Sequence, residues 1–127
     1  MKISLCIPLY NEEKILKATM DEISAYMKGR FDEDYEVVYI DDGSSDKSLE
    51  ILKEHADEHT RVISYHPNRG KGCAVRTGIL EAKGETVIFT DCDLAYGTEI
   101  IGSFFDHMTE HPELDALIGS RSRHPEG

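Results

Sequence analysis

Val87-Ile88-Phe89-Thr90-Asp91-Cys92-Asp93-Leu94 begins as an unbroken apolar run and stops on two carboxylates one residue apart. A short apolar run of this kind reads as a strand of a largely parallel sheet. Acids directly after such a strand stand at the rim of the sheet, where ligands bind in open α/β folds. The stretch Tyr35-Glu36-Val37-Val38-Tyr39-Ile40-Asp41-Asp42 repeats the pattern. Four carboxylates brought together repel one another and resist burial, so a divalent cation or hydroxyl donors are expected to neutralise them.

Outward from these two stretches, apolar runs at residues 3–7, 36–40, 61–65, 85–90 and 115–118 alternate with helical periods. The helical stripes are Leu16, Met20, Ile23 and Met27; Leu49, Leu52 and Ala56; Val75, Ile79 and Ala82; and Ile101, Phe104, Phe105 and Met108. Alternating strand and helix predicts an α/β fold, a mostly parallel sheet with helices on both faces. Asn11 is the expected cap of the first helix, Ser44 or Ser45 of the second and Thr98 of the fourth, with Gly29 and Gly84 as stops for the first and third. Polar clusters at residues 8–12, 41–46, 66–72 and 91–97 each follow a strand directly, so all four are expected at one rim.

The 127 residues fit a single domain, residues 1–127, long enough to bury roughly two thirds of the surface of the unfolded chain. Lys plus Arg number 14 and Asp plus Glu 25, a formal charge of −11, which argues against nucleic acid as a partner and against anionic membrane binding through the whole surface. The distribution is uneven. Residues 61–83 carry Arg61, Arg69, Lys71, Arg76 and Lys83 against Glu81 alone, a cationic segment that suits an anionic small ligand. Cys6, Cys73 and Cys92 are odd in number and lack a Cys-x-x-Cys spacing, which points to a reducing, cytoplasmic location. The apolar start Ile3-Ser4-Leu5-Cys6-Ile7 is too short for a signal peptide or a membrane span.

Asn68-Arg69-Gly70-Lys71-Gly72 opens the third helix. Gly70 and Gly72 let backbone approach a ligand, while Lys71, Arg76 and the helix amino terminus supply positive potential for phosphate. It is neither a dinucleotide fingerprint, which needs glycine where Val75 stands, nor a Walker A loop, which needs Ser or Thr where Gly72 stands. The acidic clusters are not EF-hands, because their twelfth positions are Leu52 and Gly102. His55-Ala56-Asp57-Glu58-His59 has the spacing of inverted zinc peptidases, but it closes a charged helix with no evident third ligand downstream, so a solvated face is expected. Tyr10 and Tyr96 flank the rim and can stack on a base or a sugar.

Taken together, Ile7-Pro8-Leu9-Tyr10-Asn11-Glu12, Asp41-Asp42-Gly43-Ser44-Ser45-Asp46, Asn68-Arg69-Gly70-Lys71-Gly72, Phe89-Thr90-Asp91-Cys92-Asp93-Leu94 and Gly119-Ser120-Arg121 resemble, in order and spacing, the family 2 glycosyltransferases of the GT-A fold. Within that family the chain is most similar to the dolichyl- or polyprenyl-phosphate hexose transferases, over essentially its whole length. The resemblance implies that Pro8, Tyr10, Glu12 and Asp41, with Asp42 beside it, hold the base and ribose of a UDP- or GDP-hexose. It implies that Arg76 lies near the nucleotide, that Asp91 approaches ribose and metal, and that Asp93 binds Mg²⁺ or Mn²⁺ on the diphosphate. The metal would offset charge on the leaving β-phosphate. A lipid-phosphate acceptor is already anionic and needs no general base, and Arg121 would anchor it.

Two departures qualify the resemblance. Ala95 stands where some relatives carry a further metal ligand, and the family continues past Gly-Ser-Arg into an acceptor-binding part and often a membrane anchor. An amino-terminal fragment lacking the acceptor part is therefore expected, from a longer protein associated with the cytoplasmic face of a membrane. The alternatives are a nucleotide-sugar-binding fragment without catalysis, or a haloacid-dehalogenase-like phosphohydrolase with Asp91 as nucleophile.

Overall fold

The computed structural model describes residues 1–95, 97–111 and 117–119. Its elements run β1 (Ile3–Leu9), α1 (Leu16–Phe31), β2 (Tyr35–Asp42), α2 (Ser48–His55), β3 (Thr60–Tyr65), α3 (Lys71–Glu81), β4 (Thr86–Thr90), α4 (Glu99–Glu110) and β5 (Leu117–Gly119). Among the described residues these make one sheet in the order β3-β2-β1-β4-β5, every pairing parallel.

Strand alternation assigns the two faces. Ile3, Leu5, Ile7 and Leu9 of β1 and Tyr35, Val37 and Tyr39 of β2 join Ile88 in a core closed by Leu16, Met20, Ile23, Met27 and Phe31 of α1, Leu52 of α2 and Ile101 of α4. Cys6, Val38, Ile40 and Phe89 form the opposite layer with Ala74 of α3. Both faces of β1 and β2 are thus buried, as in central strands of parallel sheets, with Ser4, Glu36, Asp41 and Asp42 buried among the apolar residues. Among the described residues no helix is long and apolar enough to cross a membrane.

Several expectations need correction. The α1 and α4 stripes pack as predicted, whereas α3 does not use Ile79, which is 51% exposed. It packs through the small residues Ala74 and Gly78, because a Cβ on Gly78 would come within 2.9 Å of the Phe89 ring. Gly29 lies inside α1, which ends at Phe31. Asn11, Ser44 and Ser45 cap no helix, since α1 begins at Leu16 and α2 at Ser48. Thr98 does hold the cap position of α4 but without a side-chain hydrogen bond.

A buried carboxylate fastens the amino end of the sheet. The Glu36 side chain, 4% exposed, accepts from the Ser4 hydroxyl at 2.5 Å, the Lys83 amide at 2.8 Å and Arg61 Nη1 at 3.3 Å. Arg61 also donates to the Glu81 carbonyl at 2.6 Å, and the Gly84 amide donates to Ser4 Oγ at 2.7 Å. The α3–β4 connection is thereby tied to the first three strands. Burial alone raises the pKa of Glu36, but the Ser4, Lys83 and Arg61 donors outweigh it and hold the carboxyl below its ordinary value.

Glu36→Ala leaves these donors buried and unanswered and should cost about 3 kcal/mol. Because the folded pKa is depressed, the contribution of Glu36 is complete above the unfolded value of about 4.3 and fades as pH falls through the lower folded one. Urea melts from about pH 7 to about pH 3 should therefore show a large gap between wild type and variant that narrows at the acid end. Equal stability of the two proteins at neutral pH would contradict this role.

Candidate functional site

The chain leaves β1 in one direction and β4 in another. Pairing of β1 with β4 stops at Cys6 opposite Phe89, while pairing with β2 continues to Leu9 opposite Asp41. A crevice opens at this switch in strand order, as the geometry of open parallel sheets dictates. It is a cavity of about 350 Å³ walled by Pro8, Leu9, Tyr10 and Glu12 after β1, by Asp91, Cys92 and Asp93 after β4, and by Asp42, Asn68, Gly70, Lys71 and Ala74.

The spacing of Asp91-x-Asp93 has a structural cause. Cys92 is buried, and its carbonyl accepts from the Thr19 hydroxyl of α1 at 2.8 Å, so the turn is pinned to the core through its middle residue. Leu94 follows with φ +51°, an unfavourable conformation for its type, while packing against the core and donating its amide to the Asp91 carbonyl at 3.1 Å. Burial, then the charge of Glu12, pushes the Cys92 thiol up to about 12. The buried thiol is held in its protonated form, and the residue anchors the turn through its carbonyl.

The other acidic pair is answered by the chain itself. Asp41 is fully buried and accepts from the Ser64 hydroxyl at 3.0 Å and the Ser44 amide at 3.1 Å. Asp42 accepts from Asn68 Nδ2 at 2.9 Å, the Arg69 amide at 2.9 Å and the Gly70 amide at 3.0 Å. It therefore clamps the loop that leads into α3. Gly43 makes the clamp possible: its φ is +72°, and a Cβ there would lie 2.5 Å from the Asn68 nitrogen.

The loop after β1 is held as firmly. Asn11 adopts φ +55°, tolerable for asparagine, and its Oδ1 accepts the Ser45 and Asp46 amides at 2.8 and 3.2 Å. The Asn11 and Glu12 amides donate to Ser44 Oγ at 2.8 Å and Ser48 Oγ at 2.9 Å. These serines and Asn11 staple two rim loops together, which is why none of them caps a helix.

Glu12, Asp91 and Asp93 bring three further carboxylates to the cavity wall, and the Ala95 amide donates to Asp93 Oδ1 at 3.1 Å. Burial and then the charges of Asp93, Asp46 and Asp91 raise the pKa of Glu12. Lys71 reaches across from the first residue of α3 and places Nζ 3.1 Å from Asp91 Oδ1. Arg69 lies over the Tyr65 ring at 5.0 Å, a contact the sequence reading did not anticipate.

Of the residues singled out from the sequence, Pro8, Tyr10, Glu12, Asp42, Gly70, Lys71, Asp91 and Asp93 line one cavity. Asp41 is buried and Arg76 is exposed on α3, and neither is part of that lining. Tyr96 and Arg121 lie outside the described residues. Among the described residues, the three-member group of candidate metal ligands whose atoms lie within 4.8 Å of one another is Glu33, Glu58 and His59, before β2 and β3 and so at the other end of the sheet. His59 Nε2 is 2.9 Å from Glu33, and its ring stacks on Tyr35 at 4.3 Å. His55 is not a member, so the His-x-x-Glu-His spacing does not converge.

The sequence profile described as "Glycosyl transferase family 2" matches residues 4–127. A dolichyl-phosphate beta-glucosyltransferase of Trichomonas vaginalis is 33% identical over 95% of this chain and 40% of its own length. The human dolichyl-phosphate beta-glucosyltransferase is 38% identical over 72% of this chain and 31% of its own. The solved mannosyltransferase PcManGT from Pyrobaculum calidifontis, in complex with GDP-Man and Mn²⁺, superposes with a TM-score of 0.65 at 27% identity over 72% of this chain and 27% of that one. The chain thus spans two fifths or less of the length of these relatives.

Glu12 carries the electrostatic prediction. A carboxyl whose folded pKa is raised weakens the fold once it ionises, and the penalty vanishes below the unfolded pKa of about 4.3. Glu12→Gln should raise the melting temperature in metal-free buffer near pH 7 by about 1–3 °C, with the gain gone near pH 4. A loss of stability at neutral pH would show that Glu12 is satisfied and not crowded.

Proposed function

The chain belongs to glycosyl transferase family 2, and from that premise we propose that its crevice receives the diphosphate of a nucleoside-diphosphate hexose, with Mn²⁺ or Mg²⁺ held by Asp91 and Asp93. The observation that carries this reading is the meeting of Glu12, Asp91 and Asp93 with Lys71 and the amino end of α3 across one cavity. Carboxylates alone would repel a diphosphate. A hard divalent cation accepts oxygen ligands from both partners, and a set of carboxylate oxygens suits Mg²⁺ or Mn²⁺. The Pyrobaculum mannosyltransferase, with its GDP-Man and Mn²⁺, supports the assignment.

The metal would stabilise the charge that develops on the departing β-phosphate. The chain's own groups bind and orient. Pro8 and the half-exposed ring of Tyr10 offer an apolar wall for base and ribose, and the amides at the start of α3, with Lys71, face the phosphates. Asp42 serves by holding the loop at residues 68–70 in place, and Asp41 by fixing Ser44 and Ser64. Membership of the family displaces the phosphohydrolase alternative, so Asp91 is read as a ligand and not as a nucleophile.

For these 127 residues the proposal is donor binding, a reading favoured by the small share of each relative that they span. Transfer of the hexose to a polyprenyl phosphate at the cytoplasmic face of a membrane is proposed for a protein of the relatives' full length. There Arg121 would anchor the acceptor phosphate, whose own charge makes a general base unnecessary.

Isothermal titration of this chain with UDP and with GDP should show one of them binding at least about tenfold more tightly when Mn²⁺ is present. Asp93→Ala should abolish that metal dependence while leaving the melting temperature within about 3 °C of wild type. Nucleotide binding that ignores both the metal and the substitution would overturn the proposal.

A further inference from the structure

We propose that Lys71 sets the order of loading: its ammonium pairs with Asp91 across the crevice, so that the divalent ion enters together with the nucleoside diphosphate and not before it. This inference rests on the reading of the site given above.

The pair spans the cavity. Lys71 opens α3 after Gly70, whose φ of +95° and clamped amide fix where the helix starts, while Asp91 closes β4 on the opposite wall. Their charged atoms are 3.1 Å apart, with side chains 46% and 24% exposed. An ion pair open to water on this scale is weak enough to exchange partners, yet it changes what an incoming ion meets. A bare Mn²⁺ would have to displace a cation from Asp91 and would then sit beside that displaced ammonium, a like-charge contact.

A nucleoside diphosphate that arrives with its ion removes both obstacles. Its phosphate oxygens join the ion's ligand set and give Lys71 a replacement anion at the amino end of α3. One cation then substitutes for another at Asp91 while the ammonium turns to phosphate. The length of lysine and its single point of charge permit such a swing, which a fixed second carboxylate ligand in its place would not. The consequence is that Lys71 opposes metal alone and favours metal with nucleotide, two effects of opposite sign from one side chain.

The test uses this chain and titrations with MnCl₂ alone, then with UDP or GDP in the presence of Mn²⁺. Lys71→Gln should bind Mn²⁺ alone about three- to tenfold more tightly than wild type, and bind the Mn²⁺–nucleotide more weakly by a comparable factor. Lys71→Arg, which keeps the charge, should retain the weak wild-type affinity for Mn²⁺ alone. A role confined to shaping the loop would move both affinities the same way, and circular dichroism checks that each variant is folded. If Lys71→Gln leaves the affinity for Mn²⁺ alone unchanged or lower while Asp91→Asn still abolishes metal-dependent nucleotide binding, the gating role is wrong and the function stands. If the wild-type chain shows no Mn²⁺ effect under any condition, the functional reading falls and takes the gating role with it.

Discussion

The structure depends on one constraint, the placement of β1 between strands that run away from it in sequence. β2 pairs along one side of Ile3–Leu9 and β4 along the first half of the other, so both edges and both faces of β1 are used at its start. Only beyond Cys6 does the β4 side come free. The segment after Leu9 and the segment after Thr90 must therefore diverge, and the crevice between them is the necessary result of a parallel sheet that changes its direction of growth. Pro8, which donates no backbone hydrogen bond, falls in this half-paired portion, where the missing donor is least costly.

Acidic residues that look alike in the sequence are sorted by this geometry into different tasks. Glu36, Asp41 and Asp42 are buried and answered by hydroxyls, amides and one guanidinium, so they hold loops and strand ends in place. Glu12, Asp91 and Asp93 line the cavity, and burial followed by the charges of Asp93, Asp46 and Asp91 raises the pKa of Glu12. The first group makes the site rigid, and the second concentrates negative charge at the cavity, where Lys71 pairs with Asp91. A cation-dependent diphosphate site needs both, because ligands held in advance need less reorganisation when the ion arrives.

Much of this could be read from the chain because the controlling signals were local. The apolar runs in β1, β2 and β4 announced strands, and the period of Leu16, Met20, Ile23 and Met27 announced the inner face of α1. The Asp91-x-Asp93 spacing and the glycines around Lys71 marked the rim. What could not be read depended on contacts between distant segments. Asn11 has the composition of a helix cap, yet its partners are the amides of Ser45 and Asp46, more than thirty residues on. Ile79 matched a helical period, but the helix that carries it approaches the sheet through Ala74 and Gly78, since only small side chains fit over Phe89. Lys71 lines the cavity, whereas Arg76, one turn and more along α3, is not part of that lining. The anchoring of Cys92 by Thr19 joins α1 to the rim and leaves no short-range trace at all.

The central claim is that the divalent ion binds where β1 and β4 part, and paramagnetic broadening of backbone amide signals by Mn²⁺ in the presence of UDP or GDP tests it most directly. Signals from residues 8–12, 68–72 and 91–95 should fade first while those of Glu33, Glu58 and His59 persist. Broadening that starts around Glu33, Glu58 and His59 and spares the crevice would contradict it.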